Sequence, residues 1–236
     1  MTVQILSKLT KNAWFAIIAS ALIVTLAFIT FILAEPQISH SQDDTATFTI
    51  TQTITGESTF LVDPANVTMD GDINGLTGGN ATGSSQFVVQ SNNASGYYVN
   101  IDFDYTHGGQ YALIGDSGSE DIFDYGVGNG EPDWGFTPEA NASFAYTVAA
   151  SNTPDIDASF QHNNTDACNT GSNTTPGLCW ATPSSTEFRI IDTTSAAPSG
   201  ATSTLTFRVN VPSGATPAPA AETYIATATL SLYTNP

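Results

Sequence analysis

Lysine is missing from this chain after position 11. The basic residues are Lys8, Lys11, Arg189 and Arg208, set against 22 Asp and Glu. Both lysines and no acid fall in residues 1–34, so the remainder carries 2 − 22 = −20 formal charges. Such a surface repels phosphate backbones and anionic membrane surfaces, which excludes nucleic acid as a partner. Cysteine is scarce too. Cys168 and Cys179 are the only two, too few for a Cys-based metal site, and His162 nearby does not complete one. No cysteine lies near residue 34, which excludes a lipoprotein anchor. His40, His107 and His162 are far apart and show neither Ser-His-Asp nor metal-ligand spacing. The chain is therefore read as a non-enzyme, with a secreted hydrolase kept as an alternative. Helical periodicity is absent beyond the first 34 residues.

What is present begins with an uncharged run of 22 residues, 13–34, behind Lys8 and Lys11. A basic start before an apolar core is the layout of an export signal, and about 20 apolar residues suffice to span a bilayer. Two fates fit. One is a signal peptide cleaved before Gln42, where Ser39 and Ser41 form a small-x-small pair. The other is a retained transmembrane anchor over 13–34, with the basic flank inside and the C-terminus outside. The expected organisation is residues 1–34 as signal or anchor, 35–44 as linker and 45–236 as one extracellular domain. In an oxidising compartment Cys168 and Cys179, which close the turn-rich loop CNTGSNTTPGLC, read as a disulfide. Closing such a loop stabilises the fold by about 3 kcal/mol.

Strand signals fill the exported region. Residues 45–55 read TATFTITQTIT, with Thr at every odd position and Ala46, Phe48, Ile50 and Ile54 at even ones. This period of two predicts a strand with one apolar and one hydroxylic face. The same alternation recurs at 97–104, 144–150, 204–211 and 224–233, with shorter runs at 59–62, 87–90 and 187–191. Many short half-apolar strands between Gly, Pro and Asn turns predict an all-β, antiparallel sandwich of jelly-roll or Ig-like type. The segments 105–142 and 151–185 are long and polar, as functional loops are, and 75–85 (GLTGGNATGSS) reads as a flexible turn without the Lys or helix of a phosphate loop.

Two acidic runs invite a cation. Asp70, Asp72 and Asn74 match the start of a calcium loop, but Ala81 stands where its bidentate Glu belongs. Asp116, Glu120, Asp121 and Asp124, together with Glu131 and Asp133, form the densest acidic patch. Clustered carboxylates repel unless spaced, protonated or bridged. Both runs are compatible with Ca²⁺ and equally with an Asx-rich turn or a solvated loop.

The stretches ATFTITQTITGESTFLV, VTMDGDINGLTGGNATGSSQFVVQSNNASGYYVNI and SGATSTLTFRVNVPSGATPAPAAETYIATATLSLYTNP resemble exported, threonine-rich β-sandwich surface proteins of candidate-phyla (Patescibacteria-like) bacteria. The ending ETYIATATLSLY is also similar to the last strand of WxL-type and spore-coat-U-type domains. A Trp-x-Leu signature is absent, so peptidoglycan binding does not carry over. The resemblance implies a cell-surface role and transfers no catalytic residue. Two roles are expected. The first is a structural or adhesive surface domain that touches a protein or glycan through loop aromatics Tyr111, Tyr125, Trp134, Phe136 and Trp180. The second is a self-associating fibre or coat subunit in which strand 45–55 or 224–233 adds to a neighbour's sheet.

Overall fold

The computed structural model describes residues 2–33, 46–104, 113–119, 121–126, 131–136, 139–152 and 155–236, with residues 2–12 described by backbone alone. The chain forms two compact units, Met1–Gln52 and Thr53–Pro236. The first contains α1, Thr2–Leu33, in which Ala13–Leu33 is long and apolar enough to cross a membrane. Its side chains from residue 13 onward are exposed on every face, as suits a signal sequence or a membrane anchor.

The second unit is all-β. Its strands are β1 (Ser58–Val62), β2 (Gly79–Ser91), β3 (Tyr97–Phe103), β4 (Ile114–Gly115), β5 (Ile122–Asp124) and β6 (Asp133–Trp134), followed by β7 (Ala142–Ala150), β8 (Cys179–Trp180), β9 (Phe188–Thr193), β10 (Ala197–Val211), β11 (Tyr224–Ile225) and β12 (Ala228–Thr234). One sheet runs β1-β2-β10-β7-β5 and is antiparallel except for the short parallel pair β5–β7. The opposing sheet runs β12-β3-β9 and is antiparallel throughout. Two ribbons, β4 with β11 and β6 with β8, lie in the connections.

Alternation places the core. Tyr97, Val99, Ile101 and Phe103 of β3 point one way and are buried. Phe87 and Val89 of β2, Phe144, Tyr146 and Val148 of β7, and Leu205 and Val209 of β10 meet them in a single apolar cluster. Phe103 joins the two sheets, packing edge-on to Phe144 at 6.2 Å and against Tyr146 at 5.4 Å. Burial raises the Tyr146 phenol well above its ordinary value and pushes Tyr97 up to about 12, with Asp155 adding to the second.

Three sequence expectations change. The segment 75–85 is not all turn, since β2 starts at Gly79 and pairs along its length with β10. Its Gly83 is there for close approach, because a Cβ would lie 2.4 Å from Val67 Cγ1. The expected terminal strand 224–233 is two strands, β11 on β4 and β12 on β3. The expected strand 45–55 forms no strand at 46–55, Thr45 lying outside the described residues. The sandwich begins at Ser58.

Candidate functional site

The alternating segment is exposed. Phe48, Ile50 and Ile54 are 83%, 83% and 81% accessible, an arrangement that leaves an apolar strand face in water. Its C-terminal end is held to the sandwich. The Asn92 side chain accepts from the Glu57 N–H (2.7 Å) and donates to the Thr55 carbonyl (3.4 Å), while the Asn92 N–H donates to the Glu57 carbonyl (3.1 Å). Residue 57 thus continues the line of β1.

The edges of the two sheets are where an added strand would pair. The sandwich has four edges, and the chain covers two. At β9, Ile156 bridges Ile191 and the Asp157 N–H donates to Ile190 (3.0 Å). Beyond β7, Tyr125 donates to Phe144 (2.9 Å) and Ala181 exchanges two backbone hydrogen bonds with Tyr146. Among the described residues the outer backbone of β1 and of β12 meets no such cover. These two edges, one from each sheet, approach within 8 Å. Phe60 of β1 and Leu230 and Leu232 of β12 face the core there but are only half-buried, and Leu61 and Val62 are exposed.

The edge strand β12 is braced. Tyr233 donates to Glu187 (2.8 Å) and stacks on Tyr98 at 4.9 Å, and Arg189 covers the Tyr98 ring at 4.1 Å. Hydrogen bonds from Asn100 and Tyr233 hold the Glu187 carboxyl below the usual carboxylate range. A braced, in-register edge is a template for pairing.

The other expected site residues serve the loops. Tyr125, Phe136 and Trp180 are buried together with Ala145 in a second small core. The Arg208 guanidinium lies 4.8 Å from the Phe136 ring and donates to Asn80 (3.3 Å). Burial removes these three rings from any surface contact. Trp134 is half-buried against His162 at 4.9 Å, and Tyr111 lies outside the described residues.

Cys168 and Cys179 form the expected disulfide. His162 is fully buried beside it, exchanges backbone hydrogen bonds with Asn173, and turns its ring nitrogens toward the N–H groups of Asn164 (3.1 Å) and Thr175 (3.0 Å). A neutral imidazole accepts at only one nitrogen at a time.

The acidic runs do not converge. Among the described residues no three His, Cys, Asp or Glu side chains gather as metal ligands. Asp70 bridges Thr82, and Asn74 closes a turn with Gly78. Asp121 accepts from the Ala220 N–H (3.1 Å) and the Tyr224 hydroxyl (3.4 Å). The Asp116 N–H donates to the Thr223 carbonyl (3.0 Å). Asp124 ends β5, its carbonyl-side neighbour Tyr125 hydrogen-bonding onward to β7, and Glu120 lies outside the described residues. Glu222, which sequence reasoning passed over, accepts from the Ser119 hydroxyl and from the Ser117 N–H (2.7 Å) and hydroxyl (3.0 Å). These bonds hold its carboxyl below the usual range and clamp Ser117 and Ser119 to Glu222.

The chain matches no protein-family model, and comparison with curated proteins and with solved structures finds no match.

Proposed function

We propose that the chain is an exported, non-enzymatic structural protein of the cell surface, a subunit that assembles by adding a strand of one copy to the sheet of another. The observation that supports this is the segment 46–55, a period-two strand sequence whose Phe48, Ile50 and Ile54 are more than four-fifths exposed. Apolar side chains of this size seldom stay in water in regular alternation, and strand addition would bury them. The apolar helix at the N-terminus supports delivery through or to a membrane, with the acidic sandwich on the outer side.

The test is the mass of the full chain, purified from membranes in mild detergent, by light scattering across a concentration series. Mass rising in steps with concentration is expected. A single monomer mass up to the highest concentration overturns the reading.

A further inference from the structure

We propose that the outer face of the β12-β3-β9 sheet is a docking surface for an arginine side chain of a basic partner protein, received on the open ring face of Tyr233. This docking is independent of strand addition and does not involve segment 46–55. Tyr233 is the one exposed aromatic side chain among the described residues of the sandwich. Register places it on the outer face in a row with Tyr98 and Asp192, beside a second row of Ser231, Asn100 and Arg189. Glu187, Arg189, Thr229 and Tyr233 are exposed there. On the other sheet, by contrast, Ala145 of β7 is covered by Tyr125, Phe136 and Trp180.

The face already contains one contact of this kind. Arg189 lies over the Tyr98 ring, 4.1 Å from its centre, and Tyr233 stacks on that ring at 4.9 Å and 16°. The stack crosses the sheet from β9 to β12 as guanidinium, ring, ring. Tyr233 is its last layer, and β12 is the edge strand, so no further strand of this sheet lies against the second face of that ring. The Tyr233 hydroxyl donates to Glu187, with the two carboxylate oxygens at 2.8 and 3.1 Å, which holds the ring in place before any ligand arrives. A carboxylate accepting the phenolic proton also adds negative charge beside a ring whose face attracts cations.

Charge selects a cation, and shape selects a guanidinium. Arg189 pairs with Asp192 at 2.8 Å, which leaves Asp102, Asp104 and Glu187 without a basic partner on this face. Burial, then Glu187 and then Asp104 raise the Asp102 carboxyl, so these groups repel one another across an open surface and a docked cation relieves them. A guanidinium is planar and stacks flat on a ring, as Arg189 does, while its edge N–H groups stay free to donate. Glu187 accepts from Asn100 (2.7 Å) and Tyr233 and still has lone pairs for such donors. Lysine offers a hydrated point charge without a plane to stack.

Fluorescence anisotropy with the full chain in mild detergent at 150 mM sodium chloride tests this. The probe is a labelled peptide of four arginines spaced by Gly-Ser, with the matching lysine peptide beside it. The arginine peptide should bind more tightly than the lysine peptide. Tyr233→Leu should weaken the arginine peptide about three- to fivefold, the worth of one exposed cation–π contact, and Tyr233→Phe, which keeps the ring, should weaken it less. Glu187→Gln should weaken it more than Asp63→Asn, which removes the same charge from an exposed position between β1 and β2. Tyr233 and Glu187 are both exposed, and thermal unfolding checks that each variant stays folded; Glu187→Gln carries the test if Tyr233→Leu does not. Unchanged affinity in Tyr233→Leu overturns the proposal. Equal binding of the two peptides, with equal losses at Glu187 and Asp63, also overturns it and means attraction to a polyanion at large. Tyr233-dependent binding of cellohexaose in place of the arginine peptide overturns it in favour of a sugar platform, and no binding at millimolar peptide overturns it outright. Assembly is read separately by light scattering, so none of these outcomes decides the strand-addition reading.

Discussion

Replacing Phe48 and Ile50 together by serine separates assembly from folding. Both side chains are 83% exposed in the single chain, so their apolar surface contributes almost nothing to its stability. Burying a side chain of this kind contributes about 1.5–3 kcal/mol. An edge site covers each ring or branch on one side more than the other, so the lower bound applies to each. Their joint loss is then about 3 kcal/mol, roughly a hundredfold in the association constant. The chain alone should melt unchanged, within about 0.5 kcal/mol, as surface substitutions do. Sedimentation velocity of the full chain in detergent reads the first quantity and thermal unfolding at low concentration reads the second. Two results refute the reasoning. An association curve that moves less than threefold means the two side chains are not at the interface. A fall in melting temperature of several degrees means that they already belong to the chain's own core.

Other expectations follow from the same structure. Because the copies are polyanions meeting at an uncharged strand, raising sodium chloride from 50 to 500 mM should strengthen association through screening, and weakening would point to an interface built from ion pairs. Replacing Cys168 and Cys179 by serine should lower urea stability by about 3 kcal/mol, given their separation of 11 residues, and a loss under 1 kcal/mol would mean that the His162 and Trp134 packing already closes that loop. Tyr97 and Tyr146 have folded pKa values raised above the unfolded 10, so the stability they confer is present below pH 10 and lost above it. Spectrophotometric titration should show phenols still neutral at pH 11 that ionise together with unfolding. Glu222 has a lowered folded pKa, so its clamp is intact above the unfolded carboxylate value and loosens as pH falls through the folded one. Amide exchange at Ser117 should accelerate there, and an unchanged rate would show that the clamp does not depend on the carboxylate.

Several elements were legible before any coordinates. The runs at 97–104, 144–150 and 204–211 appear as β3, β7 and β10 with the expected faces inward. The disulfide was expected from the chain's two cysteines, closely spaced across a turn-rich loop. The loop aromatics were visible as large apolar residues among polar ones, yet composition did not say whether they face a ligand or each other. The packing of Tyr125 at 4.4 Å from Phe136, and of Phe136 at 5.6 Å from Trp180, joins residues far apart in the chain. Glu222 carries no motif at all. Its role arises because β11 pairs with β4 and brings residues 117–119 to it.

The amino-acid sequence alone determined the N-terminal apolar helix, the all-β class, the inward face of each main strand and the cysteine pair, because each rests on hydrophobicity, period or spacing within a short window. Only the tertiary structure decided which strands are paired. A strand is completed by backbone hydrogen bonds to a partner that its own side chains do not encode. Residues 79–91 are a strand because 197–211 lies beside them, more than 100 positions away, despite two glycines, Gly79 and Gly83, that argue for a turn. Residues 46–55 have the more regular strand pattern yet form no strand, because both sheets of the sandwich are built from other segments.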